Sequence, residues 1–175
     1  MPDNILYHVR TWSAHNPDMA ITIHDDASIV DLLKEWPELL DRYNEAPNFP
    51  TKKDIAQFAI VYTYGGLFVD VDLQCQKNVT PLLTSNTLLV FAEQHDNGLK
   101  SKQARPGLMA LGAIPQHPLL RFVMKQMSKY IYKKGLQTPY NYMSKNASIF
   151  VDAVLEGWSE LQGHRSNSSC SRQVF

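Results

Sequence analysis

Hydrophobic residues recur along this chain in two ways: at helical spacing over long stretches and as short near-continuous runs. Helical spacing is clearest after Lys52, where Ile55, Phe58, Ala59, Val61 and Tyr62 place an apolar face on a helix. Gly65 and Gly66 end it, because glycine reaches the left-handed backbone that a helix C-terminus needs. Leu67, Phe68 and Val69 then read as a short buried strand. Upstream, residues 4–12 are apolar enough for a short helix or strand, residues 15–18 read as a turn, and residues 20–24 as a strand. Ser28 is a candidate cap for a helix with Ile29, Leu32, Leu33, Trp36, Leu39 and Leu40 on one face, which Pro37 kinks or splits. Downstream, residues 77–81 turn the chain, and TLLVFA and GLMALGA read as strands on either side of a polar loop. Pro118 opens a further amphipathic helix that ends at Gly135, residues 138–146 are irregular, and residues 147–158 predict a last helix. Strands alternating with helices predict an α/β fold, a mixed, mostly parallel sheet flanked by helices. Residues 1–160 read as one domain, and the serine-rich residues 161–175 as a disordered tail.

Composition narrows the function classes. A chain of 175 residues is long enough to bury a sizeable core. Lys+Arg and Asp+Glu are both 17, so the formal net charge is zero, which argues against a broad nucleic-acid or anionic-membrane surface. The lysine pairs Lys52–Lys53 and Lys133–Lys134 read as solvated faces. Cys75 and Cys170 match no metal-ligand spacing and read as free thiols. No run approaches the roughly 18 apolar residues of a membrane helix, and MPDNILYHVRTW has no signal-peptide pattern. The expectation is a protein soluble as it stands, either cytoplasmic or Golgi-lumenal with its anchor missing.

The candidate chemistry lies just after the glycine pair. Asp70 and Asp72 sit two apart, and in an extended chain such residues share a face, so both carboxylates converge. Adjacent buried acids repel unless a cation or a shared proton relieves them. Three readings stay open on spacing alone. The pair holds a hard divalent cation that binds a diphosphate. Or one acid is the nucleophile of a phosphoryl transfer, a design that needs a second acidic pair downstream. Or both acids are simply exposed at a strand end.

The surrounding residues favour the first. Asp54, Gln57, Tyr64-Gly65-Gly66, Phe68, Asp70 and Asp72 together resemble the signature of glycosyltransferases with an Asp-x-Asp sugar-binding region, glycosyltransferase family 32. That family includes fungal α-1,6-mannosyltransferases and inositol-phosphoceramide mannosyltransferases. Trp12-x-x-x-Asn16-Pro17, followed by Asp25–Asp26, is similar to the family's stretch before its first long helix, and Ala113-x-Pro115-x-His117-Pro118 to a later strand-to-helix junction. The resemblance implies a GT-A-like, Rossmann-type nucleotide-sugar-binding domain. It implies a retaining hexosyltransferase that uses Mn²⁺ or Mg²⁺, a nucleotide-diphosphate sugar donor and a glycan or glycolipid acceptor. Carried over, Asp72 is a direct metal ligand and Asp70 contacts the metal or the donor. Asp54 hydrogen-bonds donor-sugar hydroxyls, Gln57 counts with it among the donor-binding residues, and Gly65 and Gly66 form the turn that presents the acids. Gln57 stands where the family usually has arginine, which offers a fixed charged fork that glutamine lacks. The family's first, base-binding strand is not recognisable ahead of Trp12. The alternative is therefore a truncated or degenerate domain that binds nucleotide sugar, or a partner, without turnover.

Overall fold

A computed structural model describes residues 3–85, 87–94, 104–129 and 152. The last helix expected at 147–158, the irregular stretch 138–146 and the tail 161–175 lie outside the described residues, apart from Asp152. The elements run α1 (Asp3–His15), α2 (Asp26–Leu33), α3 (Pro37–Glu45), α4 (Phe49–Tyr64), β1 (Gly66–Val69), α5 (Thr80–Ser85), β2 (Leu88–Gln94), β3 (Ala104–Ala113) and α6 (Pro118–Ser128).

Helix α4 is the centre. Asn48 caps it by accepting from the Thr51 amide at 2.9 Å, and Gly65 closes it with its N–H on the Val61 carbonyl at 2.9 Å. It is not the amphipathic helix that its spacing suggests. Thr51 and every residue from Asp54 to Val61 are buried, because α2, α3, α6, β1 and β3 all pack around it. Phe58, Ile55 and Val61 join Leu33, Leu39, Leu111, Leu120, Val123 and Met124 in one core.

Pro37 does split the second helical stretch. It opens α3, with Trp36 at the N-cap. Ser28 does not cap α2. Asp25 does, and Ser28 is its partner in a capping box: the Ser28 amide donates to Asp25 Oδ1 at 2.9 Å and the Asp25 amide to Ser28 Oγ at 3.0 Å. The 77–81 turn continues into α5, a short helix that local spacing did not announce.

The sheet differs from the expectation. Among the described residues it has three strands in the order β1-β3-β2, and both pairings are antiparallel, with Phe68 opposite Leu111 and Val90 opposite Leu111. A mostly parallel sheet is not seen among the described residues. Two features account for this. Residues 20–25, expected to begin with a strand, carry no regular secondary structure, and Ile21 and Ile23 are exposed. The link from β2 to β3, residues 95–103, is too short for the helical crossover that a parallel pair requires.

Candidate functional site

The glycine pair makes two different turns. Gly65 has φ +69° and Gly66 φ +82°, both in the region that favours glycine. A Cβ at Gly65 would lie 2.6 Å from Pro115 Cδ, whereas one at Gly66 meets nothing within 4 Å. Pro115 reaches Gly65 because Gln116, itself at φ +58°, donates its amide to the Tyr62 carbonyl at 2.6 Å. The strand-to-helix junction at 113–118 is thus docked on the end of α4. His117 finishes the junction by capping α6, its Nδ1 accepting from the Leu119 amide at 3.3 Å. Burial holds its imidazole below the usual histidine pKa.

Strand β1 stops at Val69, before the acids. The Asp70 amide still donates to the Met109 carbonyl at 2.8 Å, extending the pairing with β3 by one residue. A turn follows, closed by the Leu73 amide on the Asp70 carbonyl at 3.0 Å. Asp70 and Asp72 are therefore the first and third residues of a turn, and the alternation argument for a shared strand face does not apply. Asp70 is partly buried against β3, and Asp72 is exposed.

The structure brings Asp54 and Asp70 together, and the group that does so is Lys53. Its Nζ lies 3.2 Å from Asp54 Oδ1, 3.0 Å from Asp70 Oδ1 and 3.3 Å from Asp70 Oδ2, and it donates to the Leu108 carbonyl at 3.1 Å. The reading of the Lys52–Lys53 pair as a solvated face fails here: the Lys53 side chain is 19% exposed and the Asp54 side chain 6%. Burial disfavours the Lys53 ammonium, but the Asp54 and Asp70 carboxylates outweigh it and hold its pKa above the ordinary lysine value. Lys52 is half-buried, its ammonium 4.9 Å from the centre of the Tyr43 ring. A lysine immediately before the first acid of the signature was the one available signal for Lys53, and it carries no spacing pattern of its own.

Gln57 is not part of that surface. It lies one helical turn after Asp54, is 0% exposed, and neither atom of its side-chain amide has a hydrogen-bond partner among the described residues. Asp25 and Asp26 are engaged locally, Asp25 in its cap and Asp26 accepting from the Tyr43 hydroxyl at 2.9 Å. Tyr62 packs edge-on against Trp36, and exposed Tyr64 stacks on His24.

A second set of contacts secures the chain just after Asp72. Trp12 Nε1 donates to the Leu73 carbonyl at 2.8 Å, and the Cys75 amide to Thr11 Oγ1 at 2.9 Å. Buried Asn16 takes the Val79 amide on its Oδ1 at 2.8 Å and directs its Nδ2 to Cys75 Sγ at 3.4 Å. The Trp12…Asn16 segment is thus a clamp on the strand-exit loop, a role its spacing did not reveal.

The donor set suits a hard divalent ion that draws most of its shell from elsewhere. Asp72 offers an exposed carboxylate and Asp70 a partly engaged one. No group of three or more His, Cys, Asp or Glu that could hold a metal ion occurs among the described residues. Magnesium and manganese sites built on one or two carboxylates plus substrate phosphates and water have this composition.

Comparison with known proteins finds similarity to glycosyltransferases. A family model described as a glycosyltransferase sugar-binding region containing the DXD motif matches residues 2–89, half of the chain. Inositol phosphoceramide mannosyltransferase 3 of Schizosaccharomyces pombe is 22% identical over 150 residues, 83% of this chain and 38% of that protein. An uncharacterised glycosyltransferase of Acanthamoeba polyphaga mimivirus is 28% identical over 126 residues, 69% of this chain and 44% of its own. The initiation-specific alpha-1,6-mannosyltransferase of Candida albicans is 26% identical over 102 residues, 56% of this chain and 26% of its own. The chain thus spans less than half the length of these relatives. No solved structure matches it significantly. With the tyrosine, both glycines and both aspartates of the motif falling inside the matched region, this chain belongs to the family of glycosyltransferases that carry a DXD sugar-binding region.

Proposed function

We propose that this chain is the donor-binding part of a retaining hexosyltransferase with a GT-A-like domain. It takes a hexose, mannose first among the candidates, from a nucleotide-diphosphate sugar and passes it to a glycan or glycolipid acceptor. The observation that carries the reading is the grouping of Asp54 and Asp70 beside the turn that presents Asp72, within the matched family region. The names of the similar proteins favour mannose as the hexose, and one of them favours an inositol-phosphoceramide lipid as the acceptor.

In this reading Asp72 holds Mn²⁺ or Mg²⁺, with Asp70 facing the same ion or the donor's ribose and sugar. The ion supplies charge neutralisation for the nucleoside diphosphate as it leaves. Asp54 accepts hydrogen bonds from donor-sugar hydroxyls at the N-terminal half of α4. Gly65 and Gly66 bring the chain out of α4 tightly enough for β1 to deliver the acids to the site. Gln57 belongs to this donor half as a buried amide behind Asp54, and its burial supports an indirect part. The carboxylates do not serve as a hydrolase acid/base pair: such groups flank the sugar from opposite sides, whereas Asp54 and Asp70 share a single ammonium.

The test is Mn²⁺-dependent thermal stabilisation against a panel of nucleotide-diphosphate sugars, GDP-mannose included. We expect one donor to raise Tm only when Mn²⁺ is present, and Asp72→Ala to abolish the rise. An unchanged Tm with every donor, or an equal rise in the variant, rejects the reading. One observation favours a second reading, a domain that binds donor without turning it over: Gln57, in the usual arginine position, is a buried amide without a charge. Release of labelled sugar from the stabilising donor separates the two.

A further inference from the structure

The contacts of Lys53 raise a question that the metal-and-donor reading leaves open. An ammonium has three N–H donors. Here the Asp70 carboxylate and the Leu108 carbonyl accept hydrogen bonds from it at 3.3 and 3.1 Å, and the Asp54 carboxylate pairs with it at 3.2 Å. Three oxygen-bearing groups of the protein thus surround the ammonium. Its charge is spent inside the protein, on two acids that would otherwise repel each other at a site only one-fifth exposed. The lysine is also fixed at both ends. Its backbone lies in the first half of α4, and its ammonium is pinned to β3 through Leu108.

From this we infer that Lys53 is the resident cation of the Asp54–Asp70 pair and a positioning residue of the site. It holds Asp70 in place without a divalent ion and, by occupying that carboxylate, leaves Asp72 to carry the ion. The inference rests on the metal reading given above and refines it by dividing the two acids of the motif. A divalent ion that drew fully on Asp70 would have to share its oxygens with an ammonium already at 3.0 Å, and two cations on one carboxylate repel. Asp72 is exposed and is not one of the carboxylates that the Lys53 ammonium contacts, so it escapes this competition.

The experiment is titration of the full chain with Mn²⁺ alone, with free Mn²⁺ followed by electron paramagnetic resonance. We expect Asp72→Asn to lose binding and Asp70→Asn to change the Kd by less than about threefold, since Lys53 already neutralises that acid. Lys53→Met frees Asp70 and is expected to tighten Mn²⁺ by about tenfold, while Lys53→Arg keeps the wild-type value. Asp70→Asn placed in the Lys53→Met background then removes the gain. A tenfold loss from Asp70→Asn in the otherwise unchanged chain overturns the inference, and this arm decides the matter even if Lys53→Met does not fold. Unchanged or weaker binding in a folded Lys53→Met variant overturns it as well. Those results leave the metal reading standing, provided Asp72→Asn still abolishes binding. Wild-type affinity in Asp72→Asn instead rejects the metal reading and the inference together.

Discussion

Gly65 and Gly66 look interchangeable in the sequence, yet different neighbours give them different roles. Both require positive φ, but only at Gly65 does a neighbouring ring occupy the space of a side chain. Gly65→Ala is therefore expected to cost about 3 kcal/mol, combining left-handed strain with overpacking against Pro115, and Gly66→Ala about 1 kcal/mol. Urea denaturation of the two variants measures the difference, and equal losses would show that Pro115 yields to the added methyl group. The glycine stop was legible in the sequence because conformational freedom is a property of the residue itself. That Pro115 enforces it was not, because the two residues meet only when the 113–118 junction docks on α4. Lys53 shows the same limit. Its neighbour Asp54 was singled out by the motif, but the acid that completes its environment, Asp70, comes from a different element, and the carbonyl that anchors it lies 55 positions away.

Among the elements, α1 departs furthest from what its own sequence suggests. It buries no residue, so hydrophobic packing alone does not explain its place. What holds it are polar bonds to the loop after Asp72, from Trp12, Thr11 and Asn16. Asn16 is central because it is 2% exposed and its loss leaves the Val79 amide without that partner. Asn16→Ala is expected to destabilise the protein by about 1 kcal/mol, the cost of orphaning a partly buried donor. Hydrogen exchange at Val79 should accelerate more than exchange in α4. If Val79 stays as protected as in the wild type, the clamp is not what orders this loop. Helix α4 departs in the opposite sense: its spacing announces one apolar face, and the fold buries it nearly all round, Gln57 included. Periodicity reports which residues can be buried and says little about how many neighbours will arrive to bury them.

At the scale of the whole molecule, pH tests how the packing treats a titratable group. Burial lowers the His117 pKa, so the unfolded chain binds this proton more readily than the folded one. The stability that comes from keeping His117 neutral is fully present above the unfolded value of about 6.5 and is lost as pH falls through the lower folded value. Stability should therefore decline from about pH 6.5 downward. His117→Asn, which keeps a capping acceptor without titrating, should flatten that part of the profile, and denaturation midpoints between neutral and mildly acidic pH compare the two. An identical slope in the variant would assign the decline to other groups. No helix among the described residues is long and apolar enough to cross a membrane. Over the entire chain, the sequence by itself determined what is encoded within a few positions: the run from Lys52 to Leu73, its glycine stop, the spacing of its acids and, through these, the glycosyltransferase family. Such features survive any rearrangement of the rest, because backbone preference and motif spacing are local. The tertiary structure alone decided the direction of the sheet, the turn that separates Asp70 from Asp72, the clamp from α1 and the lysine between two acids. Each of these depends on which distant segments come within a few ångströms of one another, as with Trp12 and Leu73, 61 positions apart. Contacts of that range are set by the closing of long loops and the filling of a shared core, to which no local pattern of residues corresponds.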